Sequence, residues 1–243
     1  MSSINYEPSK TTWLNPNIEY LFDYDIREYD IQDAGFNLIK QFKLLPEDEI
    51  KRLERIGKGK ERHIQVGLLQ RENKELSEKL LNSFAEARKI FISFNKLDTV
   101  NNLISVKKDA MFIIGTVDRV KFGKVIWNDK NRYTSYIRFP ENNNIELYYS
   151  EYGIDVKGMS DISVNRHRIY MLEWLREMIK MIENKDNRIK RKLISFIEDY
   201  KSGNLNEAYY LEFNNMSKDI NPLYNYQHII IPMAQIVLRE FGD

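Results

Sequence analysis

The period of the apolar residues changes twice along this chain, and that change limits the possible folds more than any other feature. Leu103 to Val106, Ala110 to Val117, Lys121 to Trp127, Tyr133 to Phe139 and Ile145 to Tyr149 are short runs rich in β-branched and aromatic residues, separated by polar or glycine-containing turns. Such runs at close spacing predict an antiparallel meander. On either side the spacing becomes helical. Leu76, Leu80, Leu81, Phe84, Ala87 and Phe91 share one side of a helix predicted over about 72–95. From about Val164 the same period returns through Ile169, Leu172, Leu175, Met178 and Ile182, then Ile189, Leu193 and Phe196, and finally over about 222–241.

The first part of the chain alternates the two signals. Ile18 to Ile31 fits a strand, and Ala34, Leu38, Ile39 and Phe42 recur at helical spacing directly after it, with Asp33 at the N-cap position. Pro46 followed by Glu47, Asp48 and Glu49 predicts a second short helix, because proline suits the helix start and acids favour its positive end. The fold class expected is therefore α+β, an antiparallel sheet with packed helices plus a helical C-terminal third. Three regions follow: a flexible N-terminal arm over 1–17, a mixed domain over 18–160 with a helical insertion at about 46–98, and a helical subdomain over 161–243.

Composition removes several function classes. The 243 residues carry 37 Lys and Arg against 36 Asp and Glu, a formal net charge of +1, so any polyanion site must be a local patch rather than a global field. No cysteine is present, which excludes disulfides, a thiolate nucleophile and a cysteine-based metal site. His63, His167 and His228 are too widely spaced to form a local metal motif. A polar start and the lack of any long apolar run predict no membrane segment and a cytoplasmic protein, in the host cytoplasm if a phage is the source. The Lys, Ile and Asn richness fits an AT-rich coding source such as a low-GC bacterium or its phage.

Two acidic positions carry the chemistry. In Glu28-Tyr29-Asp30-Ile31-Gln32-Asp33-Ala34-Gly35 an acid closes a strand just before a helix begins. A carboxylate there lies beside helix N-terminal donors, where divalent metals and phosphates are handled; the structural alternative is that Asp30 or Asp33 caps the helix. In Ser105-Val106-Lys107-Lys108-Asp109-Ala110-Met111-Phe112 two apolar half-strands flank a charged turn, which can project one carboxylate toward a partner strand or be an ordinary solvated hairpin tip.

Taken together these segments resemble the palm of template-dependent DNA polymerases, most closely the family B type. Asp30-Ile31-Gln32-Asp33-Ala34-Gly35-Phe36-Asn37-Leu38-Ile39 lies over the family pattern D-x-x-S-L-Y-P-S-I-I, and Lys107-Lys108-Asp109-Ala110-Met111-Phe112 over D-T-D-S-V-F. Lys79-Leu80-Leu81-Asn82-Ser83-Phe84 is similar to the finger helix K-x-x-x-N-S-x-Y-G, one residue short, and Lys130-Asn131-Arg132-Tyr133 to the primer-gripping K-K-R-Y element. The matches cover about 18–139. The sequence departs from the pattern at Gly35, where the family has a tyrosine, and at Lys107, where it has the first hairpin acid. The resemblance therefore implies a compact or degenerate palm.

What it implies for function is nucleotide addition by two-metal phosphoryl transfer, with Asp30 and Asp109 as catalytic metal ligands for Mg²⁺ or Mn²⁺. Lys79, Asn82 and Arg88 would meet the incoming nucleotide, and Lys107, Lys108, Lys130, Arg132 and Tyr133 the nucleic acid. Nucleic acid and nucleotides are the implied partners, with a replication or phage protein beside them and no membrane. The alternative is a non-catalytic phage nucleic-acid-binding or assembly protein on a degenerate palm-like fold.

Other charged segments have plainer readings beside their functional ones. Gly57-Lys58-Gly59-Lys60-Glu61-Arg62-His63 reads as a basic loop, either a phosphate cradle lacking the full P-loop pattern or a solvated loop, and Lys121, Lys124, Lys130 and Arg132 would extend it into a duplex-binding track if they share a face. Arg166, His167 and Arg168 open a helix with a basic turn that either contacts nucleic acid or is simply solvated, while Asp155, Asp161 and His167 have no diagnostic metal spacing.

Overall fold

Six residues, Ile26–Ile31, form the strand on which the N-terminal half is organised. Its alternation puts Tyr29 and Ile31 into the core beneath the helices and leaves Glu28 and Asp30 on the opposite face. A computed structural model describes residues 6–139, 145–158, 166–206, 209 and 224–242, with side chains described throughout except at 166–169 and 224–228. Among these residues the fold is α+β, with seven helices and two antiparallel sheets.

In chain order the elements are β1 (Thr12–Leu14), β2 (Tyr20–Leu21), β3 (Ile26–Ile31), α1 (Ala34–Phe42), α2 (Glu47–Arg55), α3 (Lys60–Glu72), α4 (Lys74–Phe94), β4 (Leu103–Lys107), β5 (Ala110–Ile114), β6 (Lys121–Phe122), β7 (Val125–Tyr133), β8 (Ser135–Phe139), β9 (Ile145–Ser150), β10 (Gly153–Lys157), α5 (Arg166–Glu183), α6 (Ile189–Lys201) and α7 (Tyr224–Phe241). Residues 1–18 with 25–132 make one compact unit, and 19–24 with 133–243 a second.

The first unit holds the sheet ordered β1-β4-β5-β3-β7-β6. β5 is antiparallel to both β3 and β4, so β3 and β4 run parallel with β5 between them. The four helices α1–α4 form the crossover that joins β3 to β4. This is a split β-α-β arrangement, in which a hairpin strand is inserted between the two parallel strands. One face of the sheet is covered by Phe36, Leu38 and Ile39 of α1 and by Leu80, Phe84 and Phe91 of α4. Phe91 is the centre of that packing, with its ring 4.5 Å from Trp127 and 5.6 Å from Tyr29.

Local signals set the helix ends. Pro46 stands at the N-cap position of α2, whose first turn carries Glu47, Asp48 and Glu49, and the Asn73 side chain caps α4 by accepting from the Leu76 amide at 3.0 Å. The basic segment expected as a loop is instead the start of α3, entered through Gly59 at φ 137°. Its helical period was invisible because α3 has no apolar stripe: Val66 and Arg62 are buried while Ile64 and Leu68 are exposed. Leu81, placed on the apolar side of α4 by spacing, is also exposed.

Two regional boundaries differ from expectation. Residues 12–14 are an edge strand rather than a loose arm, with Trp13 opposite Val106, and the Asn15 amide donates to the carbonyls of Val100 and Leu103 at 2.7 and 2.8 Å. The second unit begins at 133 instead of 161, because β8–β10 and the borrowed strand β2 build their own sheet, ordered β10-β9-β8-β2. Ile137, Leu147 and Tyr149 of that sheet share a core with α5, α6 and α7, where Trp174 stacks on Phe196 at 4.4 Å.

Candidate active site

Asp30 is the penultimate residue of β3 and pairs across the sheet with Ala110, the first residue of β5. Asp109 precedes it in the β4–β5 turn, and its carbonyl accepts from the Ile31 amide at 3.0 Å. The two acids are thus main-chain neighbours although 79 positions separate them in sequence, with Asp30 on the sheet face away from the helices and Asp109 lining a cavity on the helix side. Burial, and after it the negative charge of Asp30, holds the Asp109 carboxyl above the ordinary carboxylate range, with Lys108 and Lys130 opposing that shift.

The turn that presents Asp109 is strained and pinned. Lys108 has φ 47°, a left-handed conformation in which its Cβ crowds the following carbonyl oxygen, and its amide donates to the Thr11 carbonyl at 2.6 Å. Arg88 of α4 is fully buried beneath it and donates through Nη1 to the Lys108 carbonyl and through Nε and Nη2 to the Pro8 carbonyl at 3.1 and 2.8 Å. Arg88 was expected to meet a triphosphate; its guanidinium is instead a structural anchor for the hairpin and the N-terminal segment. Burial lowers its pKa.

β7 flanks β3 on the other side and supplies counter-charge. Lys130 Nζ donates to Asp30 Oδ2 at 2.8 Å and lies 3.6 Å from Glu28 Oε1, while Asn131 Nδ2 donates to Glu28 Oε2 at 2.6 Å. Its hydrogen bond to Asp30 raises the Lys130 pKa against the lowering effect of burial. Asp30 Oδ1 is buried without a hydrogen-bond partner among the described residues.

Beside Asp109 a cavity of about 270 Å³ opens between the start of α1, the middle of α3 and α4, and the hairpin turn. Its walls are apolar at Ala34, Phe36, Val66, Leu80 and Phe84, with Asp33, His63, Gln70, Lys108 and Asp109 as polar groups. Asp33 sits at the α1 N-cap position at φ 47° but makes no side-chain cap. Its carboxylate instead forms an ion pair with buried Arg62 and lies 3.1 Å from His63 Nε2, which ties α3 to the β3–α1 junction. Gly35 permits that approach: a Cβ there would lie 2.9 Å from Val66 Cγ1. This also gives a packing reason for the glycine found where the polymerase pattern has tyrosine.

The other sequence-nominated residues are dispersed. Lys79 and Asn82 are exposed on α4 and do not line the cavity; Lys79 pairs with Glu75 at 2.6 Å. Lys107 is half-buried at the end of β4, and Lys108 reaches over the Phe84 ring at 5.4 Å. Arg132 pairs with Asp129 at 3.2 Å, and Tyr133, in the second unit, is buried and donates to Asp155 at 3.0 Å. Of the Asp155, Asp161 and His167 set, Asp161 and the His167 side chain lie outside the described residues, and Asp155 also pairs with Lys157 at 2.7 Å. The Arg166 and Arg168 side chains lie outside them as well.

Among the described residues no three histidine or carboxylate groups converge as a metal cage. What the site offers is a pair of carboxylates. Sequence reading gave Glu28 no role and did not join Asp33 to Arg62 and His63, although Glu28 is legible: two residues before Asp30 on a strand is the same face.

The fold and site thus define an α+β protein with one carboxylate on β3 of a split β-α-β sheet, a second in the neighbouring β4–β5 turn, and a small cavity beside the second. By sequence the chain belongs to the family of the bacteriophage PBS1 gene 130 protein, which matches residues 1–238. That membership supports a phage origin. No curated protein matches the chain, and no described helix is long and apolar enough to cross a membrane.

Proposed function

We propose that this protein is a compact nucleotidyltransferase of the polymerase-palm type, extending a nucleic-acid strand by phosphoryl transfer with Mg²⁺ or Mn²⁺. The observation that carries the reading is the adjacency of Asp30 and Asp109 on β3 and at the β4–β5 turn. The split β-α-β connectivity supports it, since the helices that line the cavity are the crossover between the two parallel strands.

The residues fit a divalent ion in two respects. Asp30 Oδ1 is a buried acceptor without a partner among the described residues, and Asp109 is a half-buried carboxylate near a like charge; a cation beside either one relieves its penalty. A divalent ion bound there supplies Lewis-acid polarisation of a phosphoryl oxygen and a more acidic attacking hydroxyl. The chain itself contributes position and exclusion of water. Lys108 offers a positive charge to phosphate at the cavity edge, Phe36, Leu80 and Phe84 give an apolar wall for a ring, and Arg88 fixes the turn that holds Asp109.

Primer extension by the purified full chain tests the reading, with DNA and RNA templates, both nucleotide classes and Mg²⁺ or Mn²⁺. Incorporation is expected in the wild type and a loss of about 100-fold or more in Asp30→Asn and Asp109→Asn, with circular dichroism unchanged. Absence of incorporation under every condition refutes catalysis. One observation favours the non-catalytic reading: Lys130 already neutralises Asp30. That reading predicts nucleic-acid binding that weakens with salt and is indifferent to divalent ions and to both substitutions.

A further inference from the structure

Two glycines border the cavity on the helix side of the sheet, and packing accounts for only one of them. A Cβ on Gly35 would meet Val66 Cγ1 at 2.9 Å, so the close approach of α1 to α3 requires that glycine. Gly67 of α3 lines the same cavity, and a Cβ placed there meets nothing within 4 Å. Glycine inside a helix is destabilising relative to alanine, because it gives up more backbone freedom on folding. Neither a positive φ nor a close neighbour calls for glycine at position 67. What its missing side chain leaves is space in the cavity.

The polar groups around that space divide into occupied and free ones. Asp33 is engaged by Arg62 and His63. Gln70, three residues after Gly67 on α3, makes no hydrogen bond among the described residues, and Lys108 forms no ion pair there, its ammonium lying over the Phe84 ring at 5.4 Å. The left-handed backbone of Lys108 is strained, and strain of this kind clusters at ligand sites. Phe36, Leu80 and Phe84 suit a flat ring, the Gln70 amide offers a donor and an acceptor side by side, and Lys108 offers a positive charge. Every nucleobase carries a donor and an acceptor side by side on its pairing edge, and a nucleotide adds the anion. The cavity, about 270 Å³, lies just under the range of about 300–1,000 Å³ usual for small-molecule sites, so it has room for one base and not for a base pair.

We propose that this cavity receives the base of a single nucleotide, with Gly67 leaving the room, Gln70 meeting the base edge and Lys108 the phosphate. A base whose pairing edge is held by Gln70 is not offered to a template, so the nucleotide is bound by the protein alone. The proposal rests on the phosphoryl-transfer reading for the choice of a nucleotide among flat anionic ligands, and it narrows that reading to a donor taken up without a template.

Calorimetric titration of the full chain with AMP, GMP, CMP and UMP, in EDTA and without nucleic acid, tests this apart from catalysis. All four are expected to bind, the purines more tightly because two rings cover more of the aromatic wall, and ribose 5-phosphate is expected not to bind. Gly67→Leu fills the space and is expected to weaken GMP binding about 10-fold or more, with a urea midpoint no lower than that of the wild type. Gln70→Leu is expected to weaken GMP and guanosine alike, and Lys108→Gln to weaken GMP alone. No binding of any of the four, or ribose 5-phosphate binding as tightly as GMP, overturns the proposal, while primer extension still decides the phosphoryl-transfer reading. GMP binding that requires an added template overturns it too, as does wild-type affinity in a folded Gly67→Leu chain. Should Gly67→Leu fail to fold, Gly67→Ala and Gln70→Leu make the same comparison, and wild-type GMP affinity in both overturns the proposal.

Discussion

Gly35→Ala isolates the contact between α1 and α3 that shapes the cavity wall. The new methyl would stand 2.9 Å from Val66 Cγ1, with Val66 Cβ and Gln70 Nε2 at 3.9 Å. Carbon atoms pack at about 3.5–4.0 Å, so either Val66 leaves its rotamer or the helices separate by several tenths of an ångström. Overpacking of this kind costs about 1–3 kcal/mol, against a gain of about 0.5–1 kcal/mol from replacing glycine in a helix. The expected net loss is about 1–2 kcal/mol. Val66→Ala alone removes two buried methyl-sized groups and is expected to lose about 1.5–3 kcal/mol. In the double variant the methyl added at position 35 enters space that the valine side chain has vacated. Its overpacking penalty disappears, and a coupling of about 2 kcal/mol between the two sites is expected. Urea unfolding followed by tryptophan fluorescence measures this in a Trp174→Phe background, where the remaining tryptophans, Trp13 and Trp127, both report on the first unit. If the double variant loses the sum of the single losses within about 0.5 kcal/mol, Gly35 does not face Val66 and the packing argument fails.

Arg88→Met is expected to remove about 3 kcal/mol or more, because three charge-assisted hydrogen bonds to the Pro8 and Lys108 carbonyls are lost at once, and to free the N-terminal segment so that trypsin cuts at Lys10 sooner. Cleavage at the wild-type rate would show that the guanidinium does not hold that segment. Asp109→Asn is expected to stabilise the protein at neutral pH. Burial and the Asp30 charge raise the folded carboxyl's pKa above its unfolded value, so this group's contribution is fully present below the unfolded value and falls as pH rises through the folded one. The urea midpoint of Asp109→Asn should exceed that of the wild type at pH 7.5, with the difference shrinking as pH approaches about 4; an unchanged or lower midpoint at pH 7.5 refutes the burial argument.

Elements with a strong internal period were legible. The Leu76–Phe91 stripe gave α4, and the paired half-strands around Lys107–Asp109 gave the hairpin, because in both cases the burial pattern is written in consecutive residues. α3 was not, since its fit depends on Gly35, whose contribution is the absence of a side chain on another helix. The unit boundary was hidden for a related reason. β2 pairs with β8, so Tyr20 lies opposite Ile137, and a pairing across more than a hundred residues leaves no local mark on either strand.

At the site, the same periodic argument that located α4 also determines which of its polar residues can serve chemistry. Arg88 follows Phe84 by four positions and precedes Phe91 by three, so it belongs to the buried stripe, and a cation on that stripe has to be satisfied by the protein's own carbonyls. Lys79 and Asn82 fall off the stripe and are exposed, turned from the cavity that Leu80 and Phe84 line. Motif spacing had placed all three toward a nucleotide, and helix geometry separates them. The carboxylates behave differently because strand pairing, not helix phase, sets their positions: Asp30 is next to last in β3, Asp109 sits in the turn just before β5, and antiparallel register makes their backbones neighbours. Glu28 follows from the same rule by the two-residue repeat of β3, and it lies almost wholly enclosed beside Asn131 and Lys130. A site resting on register should therefore survive exchange of Lys79 or Asn82, whereas a one-residue slip of β5 against β3 replaces the Asp30–Ala110 pair and turns the side chains of the slipped strand to the other face.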